Sequence, residues 1–114
     1  MPNVPALQEG AANLKHAIGV VKKFGLPVVV AINRFPDDTV LEIETARQAA
    51  MASGALAAVE AKGFAEGGDG MIELAEAVVN ATEQPADVQL LYDDDAATFD
   101  KVDALAKGLY RADR

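Results

Sequence analysis

Hydrophobic and polar positions along this chain change period several times, and each change marks an element. Asn13 to Phe24 carries Leu14, Ile18 and Val21 at i, i+4 and i+7, with Lys15, Lys22 and Lys23 left to water, which predicts an amphipathic helix. Gly25 ends it, and basic residues in the last turn suit the helix dipole. The next segment, Leu26-Pro27-Val28-Val29-Val30-Ala31-Ile32, is apolar and β-branched without polar alternation. Such a run predicts a parallel strand buried on both faces, with Pro27 tolerated at its edge.

Asn33 to Asp38 reads as a loop, and Asp38 or Thr39 can cap a second helix running to about Ser53. Thr39 with Glu42 forms a possible capping box, and Gly54 stops the helix. Ala55 to Ala61 is assigned as a second parallel strand on topology, because alanine by propensity prefers helix. Gly63 to Gly70 is a glycine-rich loop, and Met71 to Thr82 a third helix with Ile72, Leu74, Ala75, Val78 and Val79 as its apolar stripe. Val88 to Tyr92 is expected as a short third strand. Asp93, Asp94 and Asp95 offer caps for a last helix, about Ala96 to Arg111, with Phe99, Val102, Leu105, Ala106 and Leu109 inward. This alternation predicts an α/β fold, a layered parallel sheet with flanking helices and right-handed crossovers, in one unit spanning 1–114.

Composition narrows the function classes. Ten Lys+Arg against 18 Asp+Glu give a net charge of −8. That field repels phosphate backbones and anionic lipid, so neither nucleic acid nor a membrane surface is an expected partner. The absence of cysteine excludes disulfides, thiolate metal sites and cysteine nucleophiles. The longest apolar run is far short of the ~20 residues of a membrane helix. Met1-Pro2-Asn3 shows no secretory n-region or h-region, which leaves the cytoplasm as the expected compartment. A chain of this length can bury roughly two thirds of its unfolded surface around a single core.

In open parallel α/β sheets ligands bind beyond the carboxyl ends of the strands, and two loops occupy that position here. Asn33 ends the first strand and has an amide able to read a purine edge, or else to cap the following turn. The guanine-reading Asn-Lys-x-Asp pattern is not met, because position 36 is Pro36. Phe35 and Phe64 each lie in one of the two loops, where they can stack on a planar ligand or plug the adjacent core. Gly67-Gly68-Asp69-Gly70 precedes a helix and can aim free amides at an anion, or serve simply as a tight turn. No Gly-Lys-Ser/Thr follows it, so it is not a Walker P-loop. His16 is the single histidine and has no cysteine or second histidine for a metal site; it reads as structural. The Asp93-Asp94-Asp95 run lacks calcium-loop spacing. No catalytic nucleophile, base and orienter can be assembled.

The stretch from Asn13-Leu14-Lys15-His16 through Lys23-Phe24-Gly25 to Asn33-Arg34-Phe35-Pro36 closely resembles formate tetrahydrofolate ligase, the formyltetrahydrofolate synthetase family. Asp38-Thr39, Gly67-Gly68-Asp69-Gly70, Glu73-Leu74-Ala75, Leu91-Tyr92, Lys101 and Tyr110 extend the resemblance over nearly the whole chain. It implies part of a larger P-loop-type nucleotide-binding enzyme fold that spends ATP, with magnesium, to activate formate as formyl phosphate and then formylates N10 of tetrahydrofolate. The implied folate-binding residues are Phe35, Pro36 and Phe64, with Phe64 standing where the family commonly has tryptophan. Asn33 is implied to face the adenine, and Gly67, Gly68 and Gly70 are the further nucleotide-binding candidates that the geometry of their turn offers. Gly19 also departs from the pattern, which usually has asparagine there. The phosphate-gripping P-loop belongs to a segment upstream, so the chain alone is expected to be inactive and to need that segment as partner. An alternative is a stand-alone, non-catalytic α/β binding module. Apolar faces freed from a larger enzyme are expected to drive homo-oligomerisation.

Overall fold

The computed structural model describes residues 4–112, apart from the side chains of Val4, Leu7 and Gln8. The Met1-Pro2-Asn3 reading therefore lies outside the described residues. Helix α1, Val4–Lys23, is longer than its apolar stripe predicts. Pro5 falls in its first turn, where a missing N–H costs nothing, and the alanine-rich sequence that follows favours helix without needing an apolar face.

Strand β1, Val29–Asn33, and strand β2, Ala57–Ala61, form a two-stranded parallel sheet with Val29 opposite Ala57 and Asn33 opposite Ala61. Helix α2, Val40–Ala52, crosses between them. Thr39, not Asp38, is its cap: the Thr39 side chain accepts from the Glu42 N–H at 3.2 Å, and the Glu42 carboxylate accepts from the Thr39 N–H at 3.2 Å. The alanine-rich β2 is a strand as topology required, against its propensity.

The core lies where α1 and α2 meet one face of the sheet. Ile18, Val28, Ala50, Ala55 and Ala58 are buried together, with Leu14, Val30 and Ile32 packed against them. Pleating puts Val29, Ala31, Val59 and Ala61 on the opposite face. Helix α4, Ile72–Glu83, packs there, chiefly on β2. Val59 and Ala61 are consequently buried while Ala31 is exposed. The apolar run therefore forms a strand, but not one buried on both faces.

Three further expectations are corrected. No strand forms over Val88 to Tyr92. The Gln89 N–H instead donates to Phe24 O at 2.9 Å, and the segment crosses the end of α1 away from the sheet. Gly25, at φ +72°, permits the crossing because the Asp87 carbonyl occupies the space a Cβ would need. The glycine-rich segment is not irregular: Gly63–Glu66 forms a single helical turn, α3, and Gly67–Met71 a 3-10 turn. Helix α5, Thr98–Gly108, is shorter than expected, and Phe99 and Val102 face water at 78% and 58% exposure.

Exposed apolar side chains recur elsewhere, as at Val21, Ile72, Val78 and Val79. The radius of gyration is 16.9 Å, against about 13 Å for a compact chain of this length. Too few layers surround the sheet to cover these faces. Among the described residues, no helix is long and apolar enough to cross a membrane.

Candidate functional site

Parallel pairing brings the carboxyl ends of β1 and β2 side by side, so the chains leaving them are neighbours. The Arg34 N–H donates to Ala61 O at 3.0 Å and carries the pairing one residue beyond β1. The chain then turns through Phe35-Pro36-Asp37-Asp38, with Pro36 at the second position, where its fixed φ fits the turn. Asp38 closes the turn twice: its N–H donates to Phe35 O at 3.0 Å, and its carboxylate accepts from the Phe35 N–H at 2.9 Å. Asn33 is therefore not the turn's cap. Its side chain is at the exposed end of β1 and makes no hydrogen bond among the described residues.

On the β2 side, Lys62 O accepts from the N–H groups of Ala65 and Glu66 at 3.2 and 2.9 Å, winding the single turn α3 that carries Phe64. Gly67 reverses the chain at φ +61°. The 3-10 turn then returns Gly70 beneath Lys62, where the Lys62 N–H donates to Gly70 O at 3.0 Å. A Cβ on Gly70 would lie 2.6 Å from Lys62 O, so a side chain there is excluded by packing. Gly70 is buried in that contact, whereas Gly67 and Gly68 are exposed.

The two loops meet at their aromatics. Phe35 and Phe64 have ring centroids 5.5 Å apart and planes tilted by 60°, and both rings are largely open to water, at 51% and 74% exposure. They touch each other and do not plug the core. A flat ligand between two rings needs about 7 Å, two contacts of ~3.5 Å, so this pair must open to admit one. Phe64, on a one-turn helix, is the more exposed of the two rings.

Beside the Phe35 ring is a cleft of about 290 Å³ lined by Arg34, Phe35, Pro36, Lys62, Ala65 and Glu66, and Phe64 does not line it. Its two cations share one carboxylate, since Glu60 accepts from Arg34 at 3.1 Å and lies 3.8 Å from Lys62 Nζ, while the Glu66 carboxylate in the lining forms no ion pair among the described residues. Neither cation is free to grip a phosphate without leaving this shared carboxylate. Pro36 is in the cleft with Phe35, while Asn33, Gly67, Gly68 and Gly70 do not line it. The arrangement offers apolar ring faces beside a rim of charge. No group of three or more His, Asp or Glu among the described residues could hold a metal ion.

Arg34, Glu60 and Lys62 were not singled out from the sequence. Their association depends on register: Ile32 pairs with Glu60, which puts Arg34 diagonally across on the same face. Charge patterning along one strand does not reveal that.

The sequence model describing formate–tetrahydrofolate ligase matches residues 1–114. The chain belongs to this family. It is 51% identical over 111 residues to the formate–tetrahydrofolate ligase of Desulforamulus reducens, covering 97% of this chain and 20% of that protein. A Roseiflexus formate–tetrahydrofolate ligase is 50% identical over 105 residues, covering 92% of this chain and 19% of that protein. The cytoplasmic C-1-tetrahydrofolate synthase of Saccharomyces cerevisiae is 44% identical over 108 residues, 95% of this chain and 11% of that protein; its mitochondrial counterpart is 43% identical. The chain thus spans no more than about a fifth of the length of these ligases. Its sparse core and open apolar faces agree with a segment that packs on more of the family fold.

Proposed function

We propose that this chain supplies the pterin-facing loops of an ATP-dependent ligase that joins formate to N10 of tetrahydrofolate through formyl phosphate. The observation that carries the reading is the exposed pair Phe35 and Phe64, held at the carboxyl ends of adjacent parallel strands. Opening this pair around the pterin replaces one tilted ring contact by two stacked ones, and Pro36 stiffens the loop that presents Phe35.

In the same reading Asn33, with its unengaged amide at the end of β1, faces the adenine of ATP. Gly67 and Gly68 let the backbone approach the nucleotide, and Gly70 seats their turn against Lys62. The phosphates and their magnesium are gripped by a P-loop elsewhere in a P-loop-type fold, so the chain by itself does not turn over. Cytoplasm is its compartment, and its open apolar faces join other parts of the enzyme or further copies. A cleft of about 290 Å³ is at the small end of ligand sites, which fits a shared binding surface.

The test is an anaerobic equilibrium titration with tetrahydrofolate, with far-UV circular dichroism confirming the fold of each variant. Phe35→Ala and Phe64→Ala are each expected to weaken binding by about 3- to 10-fold, the factor for one ring stack. A p-aminobenzoylglutamate control, which lacks the pterin, should be insensitive to both. Unchanged affinity in the two variants refutes a pterin clamp on these rings, whereas no binding by the folded protein means that the site needs the rest of the enzyme or that the chain is a non-catalytic module.

A further inference from the structure

A second cleft, of about 420 Å³, lies between the C-terminal half of α1 and the end of α5 and shares no residue with the aromatic cleft. Lys15, His16, Lys23 and Arg111 line it, and among the described residues no carboxylate does. In a chain of net charge −8, such a concentration of positive charge runs against composition. Ala12, Gly19 and Val20 form its small, apolar floor.

Helix-dipole compensation explains only part of this cluster. Lys23 Nζ donates to Gly108 O and so caps the carboxyl end of α5. Lys15 and His16 lie about two turns before the end of α1, outside the last turn where the dipole acts. Among the described residues, the side chains of Lys15, His16 and Arg111 form no hydrogen bond or ion pair.

Arg111 supplies an independent observation. It is the one non-glycine residue at positive φ among the described residues, at +57°. The Ala112 N–H donates back to Ala106 O at 3.0 Å and fixes this bend after α5. Glycine would adopt that backbone without strain, whereas an L side chain is disfavoured there. That backbone bond closes the helix end, yet the guanidinium it presents at the cleft has no hydrogen bond or ion pair among the described residues.

We infer that this cleft binds a phosphate-type oxyanion, with the Arg111 fork and the Lys15 ammonium as its principal donors and His16 beside them. A planar guanidinium matches two phosphate oxygens, and the apolar floor leaves room for the organic part of a phosphorylated ligand.

The test is isothermal titration of the protein with inorganic phosphate and with pyrophosphate, at ionic strength held constant with chloride. Both should bind saturably, and pyrophosphate more tightly. Arg111→Gly and Lys15→Gln should each weaken binding by about tenfold, the factor for one charge-assisted hydrogen bond. Arg47→Gln, on α2 away from the cleft, should leave binding unchanged. Arg111→Gly should also raise the melting temperature or leave it unaltered, because it relieves the backbone. No saturable binding by protein with native circular dichroism, equal affinity in the cleft variants, or a lower melting temperature in Arg111→Gly would each overturn the inference. The last outcome would show that Arg111 serves the fold instead of a ligand.

Discussion

Two glycines of this chain make opposite predictions for the same chemical change. Gly25 stands at φ +72°, and a methyl group there collides with the Asp87 carbonyl. Gly19 lies inside α1, where an added Cβ meets nothing within 4 Å. Gly25→Ala should cost ~1–2 kcal/mol of left-handed strain. It should also lose the bond from Gln89 N–H to Phe24 O, about 0.5–1.5 kcal/mol, as the crossing segment is pushed away. The sum is about 1.5–3.5 kcal/mol. That segment is exposed over residues 84–90, so it can peel off and leave the core intact, which makes the sum an upper figure. Gly19→Ala should instead stabilise by up to about 1 kcal/mol, from the lower entropy of the unfolded chain and better helix propensity. Urea unfolding checks both, with the m-value confirming that the unfolded state has not changed. Shifts of the same sign, or a Gly25→Ala variant within about 0.5 kcal/mol of the parent, would refute the account.

Other expectations follow from burial and capping. Thr39→Ala should destabilise by about 1 kcal/mol in the same unfolding assay, since it removes one half of the capping box of α2. Ile18→Ala should cost about 2–5 kcal/mol, because the side chain is 2% exposed, whereas Phe99→Ala at 78% exposure should change stability by less than about 0.5 kcal/mol. Equal effects at the two positions would mean that α5 packs differently. Analytical ultracentrifugation should find the isolated chain self-associating at high concentration through its open apolar faces; a clean monomer would contradict this.

Local physics was legible along the chain. The Leu14 and Ile18 repeat, the β-branched run ending in Ile32, the Thr39-Glu42 box and the stops at Gly25 and Gly54 each act within a few residues, and all appear in the structure. The stretch from Asn13 to Pro36 also disclosed the family, because its side chains serve both a strand and the loop beyond it. The placement of Phe35 and Phe64 on neighbouring loops followed from parallel topology.

Tertiary structure decided what depends on neighbours. Whether the Phe99 face of α5 is buried depends on a second surface to cover it, and periodicity cannot show that none packs there. Val88 to Tyr92 has the composition of a strand, yet a strand exists only where another can pair with it, and the crossing at Gly25 takes this segment elsewhere. Closure of the two aromatic rings to 5.5 Å, the sharing of Glu60 between Arg34 and Lys62, and the convergence of Lys15, His16 and Arg111 join residues distant in sequence. Each is set by register or packing angle, quantities fixed by the three-dimensional sum of contacts and absent from any single window of sequence.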